Sequence, residues 1–518
     1  MKQIVPSDSQ PVVIEAPVPS PQATGERRRP RLPSRRRVLL ALYGLVIALA
    51  AFPVIHAANP GLKLNQTRKY DMQQGLNVLN AGGPPLLGRG PPPYASIEPR
   101  FGQRSGYYPL GIADAQGLYL VVPYVGHLVG AHNALGVYRW LFVFVFAIPL
   151  LVYPLIFDAL FGSVLLALAA PLALLALVGA QAPEDAVVLA TWPVYALVPL
   201  LFLLARRWTR LTPWALLGVT LLAGLATNVR EGAGLPIVLS ALLLVFLNRR
   251  HLGATRGLAL AVAMIVVYML PGWGTAALWH HERGHIANPY LRDQAIVHQS
   301  RWHQLVLGLS FPGNNYGVPR HEDRSGYAED QFAYALARAR DPSVVILSPH
   351  YETLEKEIYF GIVEGHPGFV ALGYLKRTVI VLSYLGVFWL GFLFLPLMLL
   401  VGKRRWLMRR YLALLAPVGI ITLFGPAVLV SQGYDGQFKA TATILAFLAG
   451  GWLMVNWARG YELVRIAWPG RPASPGGWLH SYRALDPRCR TALALTTAVV
   501  IAALLITLAG TSFQSQYH

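Results

Sequence analysis

VLLALYGLVIALAAFPVIHA, Val38 to Ala57, contains no Asp, Glu, Lys or Arg over twenty residues. At 1.5 Å per residue such a helix just crosses a hydrocarbon core of about 30 Å, so the stretch reads as a transmembrane span. Residues 1-37 before it are rich in Pro, Ser and Gln and end in Arg27-Arg28-Arg29-Pro30-Arg31 and Arg35-Arg36-Arg37. A segment of that composition buries no core and reads as a disordered basic cytoplasmic tail. Ser34-Arg35-Arg36 also matches a twin-arginine signal, with His56-Ala57-Ala58 as its cleavage site. The apolar stretches that follow favour an anchor.

Those stretches lie at 136-156, 161-180, 187-205, 213-227, 235-248, 257-278, 378-401, 411-431, 438-456 and 491-510, making eleven with the first. Composition agrees: 55% hydrophobic and 13% charged residues over 518 describe an all-α polytopic membrane protein and exclude one or two ordinary soluble domains. The single cysteine, Cys489, excludes an internal disulfide and a cysteine-based zinc or iron-sulfur site.

Short cytoplasmic loops collect Lys and Arg. With the N-terminus inside, the inner loops hold Arg206-Arg207-Arg210, Arg249-Arg250-Arg256, Lys403-Arg404-Arg405-Arg409-Arg410 and six arginines in 457-490, while the outer turn at Glu184-Asp185 has none. The tail and this asymmetry account for much of the +20 charge and the pI near 10.1 without a nucleic-acid partner. The expected organisation is a tail (1-37), a first bundle (38-278) with an extracytoplasmic loop at 58-135, and a second extracytoplasmic loop or small domain at 279-377. C-terminal spans at 378-510 with an inner loop at 457-490, and an outer tail at 511-518, complete it.

The two long loops share the outer face in this topology and can meet across the bundle. Segment 117-131 is apolar but too short to span, and suits an interfacial or re-entrant position. Gly82-Gly83-Pro84-Pro85 to Pro91-Pro92-Pro93 reads as an irregular loop tip.

Asp71 opens the first loop's chemistry. It follows Arg68 and Lys69, and a carboxylate beside two cations can serve as a general base to a hydroxyl or help hold a divalent cation, with the cations free for phosphate. A solvated loop charge is the plain alternative. Arg230 and Glu231, within Asn228-Val229-Arg230-Glu231-Gly232-Ala233-Gly234, fall at the outer boundary between two spans, where charge is expensive. Small neighbours leave room for a headgroup against the Arg230 fork; a snorkelling arginine paired with Glu231 is the alternative.

Asp114 precedes the interfacial segment, as a carboxylate at headgroup level or as a helix cap, and Tyr107, Tyr108 and Tyr119 suit either sugar stacking or anchoring. In the second loop, Phe311 to Gly317 leads to Glu322 and Asp323, adjacent carboxylates on a turn of weak specificity. Trp302, His303, Tyr327 and His366-Pro367 suit a carbohydrate-facing surface or a small packed domain, and 326-340 reads as a structural helix.

His281-Glu282-Arg283-Gly284-His285 matches the zinc-protease pattern, in which two histidines one turn apart hold the metal and Glu activates water. That pattern needs a continuous helix. Here Gly284 stands inside it and Pro289 follows, so the competing reading is a polar helix end emerging after Trp279.

From Val38 to about Ser431, the layout resembles the GT-C glycosyltransferases, a superfamily that includes protein mannosyltransferases and the lipid A aminoarabinose transferase. The shared features are an inside N-terminus, a first outer loop opening on an acid, a bundle of about eleven helices and a second outer loop. The resemblance implies sugar transfer from a polyprenyl-phosphate donor to a lipid, glycan or protein acceptor of the cell envelope, at the outer face of an inner (cytoplasmic) membrane. It matches Asp71 to the family's first-loop acid, serving as base or metal carboxylate, and Arg230-Glu231-Gly232-Ala233-Gly234 to the arginine segment of related transferases. The paired acid of that family is absent, since Met72 follows Asp71, and a divalent cation stays an open expectation. Neither a Walker-type phosphate loop nor a Rossmann fingerprint is present, which speaks against a nucleotide-sugar domain. A transporter or flippase is the competing class; its marks would be internal repeats and charges at mid-bilayer.

Overall fold

The computed structural model describes residues 35–62, 64–104, 106–112, 116–181, 189–190, 197–206, 208–230, 232–294, 301–309, 326–383, 395–400, 405–421, 482–483 and 485–515. Asp114, Glu231, Glu322 and Asp323 fall outside these residues, as do the span expected at 438-456 and nearly all of the basic tail.

The first half of the chain forms α1 (Arg35–Ala57), α2 (Gln66–Asn80), strands β1 (Leu87–Arg89) and β2 (Tyr107–Pro109), α3 (Gly117–Leu128), α4 (Ala134–Phe161), α5 (Val164–Gln181), α6 (Val198–Arg206), α7 (Thr212–Val229) and α8 (Leu235–Leu247). The second half forms α9 (Ala254–Glu282), α10 (Arg301–Leu309), α11 (Gly326–Arg340), α12 (Pro349–Gly365), α13 (Pro367–Ser383), α14 (Arg405–Gly419) and α15 (Pro487–Ser515). Among the described residues five helices, α1, α4, α7, α9 and α15, are long and apolar enough to cross a membrane. The protein is therefore a predominantly helical membrane protein.

α1 is apolar on all sides, as a span must be, yet it still has a packing stripe. Leu40, Gly44, Ile47, Ala51 and Ile55 recur at three- and four-residue intervals and are buried, while Leu42, Leu45, Val46 and Leu49 face outward. The stripe lies on α4, and Gly44 sits so close to the Leu151 carbonyl that a Cβ has no room. Small residues at such a crossing let two backbones approach, the usual basis of helix association in lipid. α4 is capped by Asn133, whose Oδ1 accepts from the Gly136 N–H at 3.2 Å, and ends at Gly162, left-handed at φ 68°.

α1 and α4 run antiparallel. Arg36 at the start of α1 pairs with Asp158 in the last turn of α4, whereas His56 at the end of α1 lies 5.6 Å from the Trp140 ring near the start of α4. Arg206 joins the first of these ends by donating to the Ala159 and Leu160 carbonyls at 2.8 and 2.9 Å. Arg410 of α14 likewise donates to Asn248 Oδ1 and the Leu247 carbonyl, both at 3.2 Å, beyond α8. These cations satisfy orphan carbonyls at helix C-termini.

Several expectations change. The outer loop expected at 58-135 is itself folded, into α2, the hairpin and α3, and β1 forms inside the Gly82 to Pro93 run that reads as an irregular tip. Within the stretch expected as the second loop, 279-377, α9 continues to Glu282 and α13 starts at Pro367. The helix expected at 326-340 matches α11, and 117-131 is the short helix α3.

Candidate functional site

α2 is the platform. Asn65 caps it through Oδ1 to the Thr67 N–H at 2.8 Å, and its residues divide into two stripes of the same spacing. Gln73, Asn77 and Asn80 form an amide stripe. Gln73 donates to the His132 carbonyl at 3.0 Å and to Asn77 Oδ1 at 2.9 Å, and accepts from the Ala134 N–H at 3.0 Å. Asn80 donates to the Ala131 carbonyl at 2.9 Å. This stripe fixes α2 against the backbone turn between α3 and α4.

Asp71, Gly75 and Val78 form the second stripe, which is buried. Asp71 is only 1% exposed, so it is not the solvated loop charge of the plain reading. Its Oδ1 accepts from the Tyr108 hydroxyl and its Oδ2 from the Gly111 N–H, each at 3.2 Å. Both donors depend on glycine. Tyr108 pairs across the hairpin with Gly88, and its ring lies over the space where a Gly88 side chain would stand. Gly111 is left-handed at φ 64°, and a Cβ there would enter the Tyr119 ring. Burial, then the Asp71 charge and the adjacent Tyr70, push the Tyr108 phenol well above its ordinary range, so it stays an O–H donor.

The other expected residues are distributed unevenly around this clamp. Lys69 turns back and donates to the Leu62 carbonyl at 2.9 Å. Arg68 is half-buried, one turn ahead of Asp71 on α2. Tyr107 faces away from Asp71, with its ring 6.3 Å from that of His285. Arg230 ends α7 in an extended conformation, its N–H on the Ala226 carbonyl at 2.8 Å. Two residues earlier, the Asn228 carbonyl packs on Gly117 at the start of α3, which brings the Arg230 end of α7 to the segment that supplies Gly111.

The 281-285 match does not form a helical face. α9 ends at Glu282, Arg283 to His285 make a 3₁₀ turn, and the Glu282 carboxylate lies between the imidazoles, 3.0 Å from His281 Nδ1 and 3.5 Å from His285 Nε2. The acid that would activate water is thus engaged with both histidines. Among the described residues no group of three His, Cys, Asp or Glu is arranged to hold a metal.

The two long loops do meet. Glu98, 3% exposed, accepts from the Arg100 N–H at 3.3 Å and from the Ile346 N–H at 3.2 Å, with Arg100 Nε at 3.5 Å and Arg338 at 3.9 Å. Arg100 also donates to the Ser343 carbonyl at 2.9 Å, and Asn288 donates to the Arg100 and Phe101 carbonyls at 2.9 and 3.0 Å. Sequence reasoning missed Glu98, Gly88 and Gly111; only Gly111, one residue past a strand and Leu110, carried a local signal. In the second loop, His303 is buried against Tyr334 and Tyr351, as in a small packed unit, and half-buried Trp302 packs on Tyr359 and exposed Phe360.

No family model matches the sequence, and neither a curated protein nor a solved structure matches the chain.

Proposed function

We propose that this chain is a membrane glycosyltransferase of the GT-C type that moves a sugar from a polyprenyl-phosphate donor to a cell-envelope acceptor at the extracytoplasmic face. The observation that carries the reading is Asp71: a buried acid whose oxygens accept from the Tyr108 hydroxyl and the Gly111 N–H, on a helix fixed against the end of the bundle opposite the Arg36, Asp158 and Arg206 cluster. The reading includes eleven spans with the N-terminus inside, and the gathering of Arg36 and Arg206 at one end supports it.

In the transfer, an acceptor oxygen bonds to the anomeric carbon as the bond to the lipid phosphate breaks, through an oxocarbenium-like state. Asp71 takes the acceptor's proton, and Arg230, with Arg68, receives the charge left on the phosphate; Lys69, turned to Leu62, is left out of this step. Met72 stands where the family carries a second acid, and among the described residues no group of three His, Cys, Asp or Glu is arranged to hold a metal, so no step is routed through a divalent cation. The burial of Asp71 favours a second reading, in which it is a structural clamp between α2 and the hairpin.

The test is incubation of the purified protein with labelled polyprenyl-phosphate sugars and envelope extracts as acceptors. Transfer of label supports the enzyme. Its absence with every donor, accompanied by solute uptake into vesicles holding the protein, would favour a carrier instead.

A further inference from the structure

The junction of α1 and α4 carries an unassigned feature. On α1, Leu49, Phe52 and His56 lie at helical spacing, and on α4 so do Trp140, Phe144 and Ile148. Leu49, Trp140, Phe144 and Ile148 are 60, 49, 54 and 66% exposed, a high value for side chains of this size. Because the helices are antiparallel, the two rows lie side by side and interleave. Phe52 meets Phe144 edge-on at 5.3 Å and Trp140 at 6.3 Å, and His56 meets Trp140 at 5.6 Å.

Positive charge closes one end of this apolar strip. Arg139, next to Trp140, uses its Nε on the Pro60 carbonyl at 3.3 Å, and among the described residues its two Nη groups have no hydrogen-bond partner. Lys69 reaches the same turn, on the Leu62 carbonyl at 2.9 Å, and exposed His56 borders it. Rings at the headgroup level with an apolar row below and cations above match an amphiphile with an anionic head. The Arg139 fork suits two phosphate oxygens, and Lys69 adds a point charge.

We infer that this strip is a binding site for an anionic phospholipid, its phosphodiester on Arg139 and Lys69 and an acyl chain along Phe52, Trp140 and Phe144. The charge of the cap selects an anionic over a zwitterionic head, and the strip's exposure along both helices leaves it open to the bilayer's own lipids. The site lies on the membrane-facing side of α1 and does not depend on the transferase reading.

Native mass spectrometry of the full chain, released from nanodiscs of equimolar phosphatidylglycerol and phosphatidylcholine, tests this. Wild type is expected to retain phosphatidylglycerol preferentially, and Arg139→Gln to reduce that retention about fivefold, the worth of one cation near a membrane surface. Trp140→Ala, which leaves the Arg139 contact to Pro60 intact, should weaken retention of either lipid. Equal retention of the two lipids by wild type would overturn the inference, as would an unchanged preference in Arg139→Gln. Displacement of bound phosphatidylglycerol by stoichiometric undecaprenyl phosphate would also overturn it, by assigning the strip to an isoprenyl chain.

Discussion

Two of the buried acids among the described residues, Asp71 and Glu355, have opposite surroundings. Asp71 is 1% exposed and both of its oxygens accept hydrogen bonds, from Tyr108 and Gly111. Glu355 in α12 is 0% exposed, and neither oxygen has a hydrogen-bond partner among the described residues. Burial pushes the Glu355 carboxyl up to about 8, against the pull of nearby Tyr351 and helped by the Glu352 charge. One site gives a buried acid a donor on each oxygen; the other leaves both oxygens without one among the described residues and favours the neutral acid. The contrast separates a group suited to chemistry from one suited to packing, although both are single acids on amphipathic helices.

Three substitutions press on this contrast. The largest effect is expected from Gly111→Ala, which combines a left-handed backbone with a collision against Tyr119. It should destabilise the protein by about 3 kcal/mol in thermal unfolding and release the Gly111 N–H from Asp71. A mutant as stable as wild type would mean that the clamp is not under the steric control described.

Glu355→Gln comes next. Because the folded protein holds this proton up to about 8 while the unfolded group releases it near 4.5, the group's contribution is full below about 4.5. It is lost as pH rises toward about 8. Wild-type melting temperature should fall across that interval and the mutant's should fall less. Superimposable pH profiles would show that Glu355 is not the neutral acid of this comparison.

Tyr108→Phe has the smallest expected effect, about 1.5 kcal/mol, from loss of one donor to a charged acceptor while the ring still covers Gly88. Hydrogen-exchange protection of the hairpin is expected to drop without loss of the α1–α4 core. Global unfolding would show instead that the tyrosine holds the fold rather than the acid.

The membrane helices were legible in the sequence because their signal is one-dimensional. Val38 to Ala57 and the span starting near 257 announce themselves by length and lack of charge, and the polar periodicity of 326-340 marks α11. The Asp71 clamp was not legible, since its donors lie 37 and 40 residues away and are placed by a hairpin whose strands are three residues long. The residue was chosen for its neighbours Arg68 and Lys69, yet Lys69 turns to Leu62 and the visible partners are a phenol and a backbone amide. The 281-285 match failed differently: spacing in sequence assumes a helix, and the helix stops at the glutamate itself. The joint at Glu98 could not be seen because it binds Ile346, 248 positions along the chain.

The central claim rests on Asp71 as the group that receives the acceptor's proton. The most direct measurement is the rate of sugar transfer by Asp71→Asn beside wild type and Glu355→Gln, at a temperature where all three are shown by melting to be folded. The account predicts a loss of about 10²- to 10⁴-fold in Asp71→Asn, the usual worth of a general base, with Glu355→Gln within about twofold of wild type. Wild-type rates in a folded Asp71→Asn would contradict it, and would leave Asp71 as a clamp for the hairpin alone.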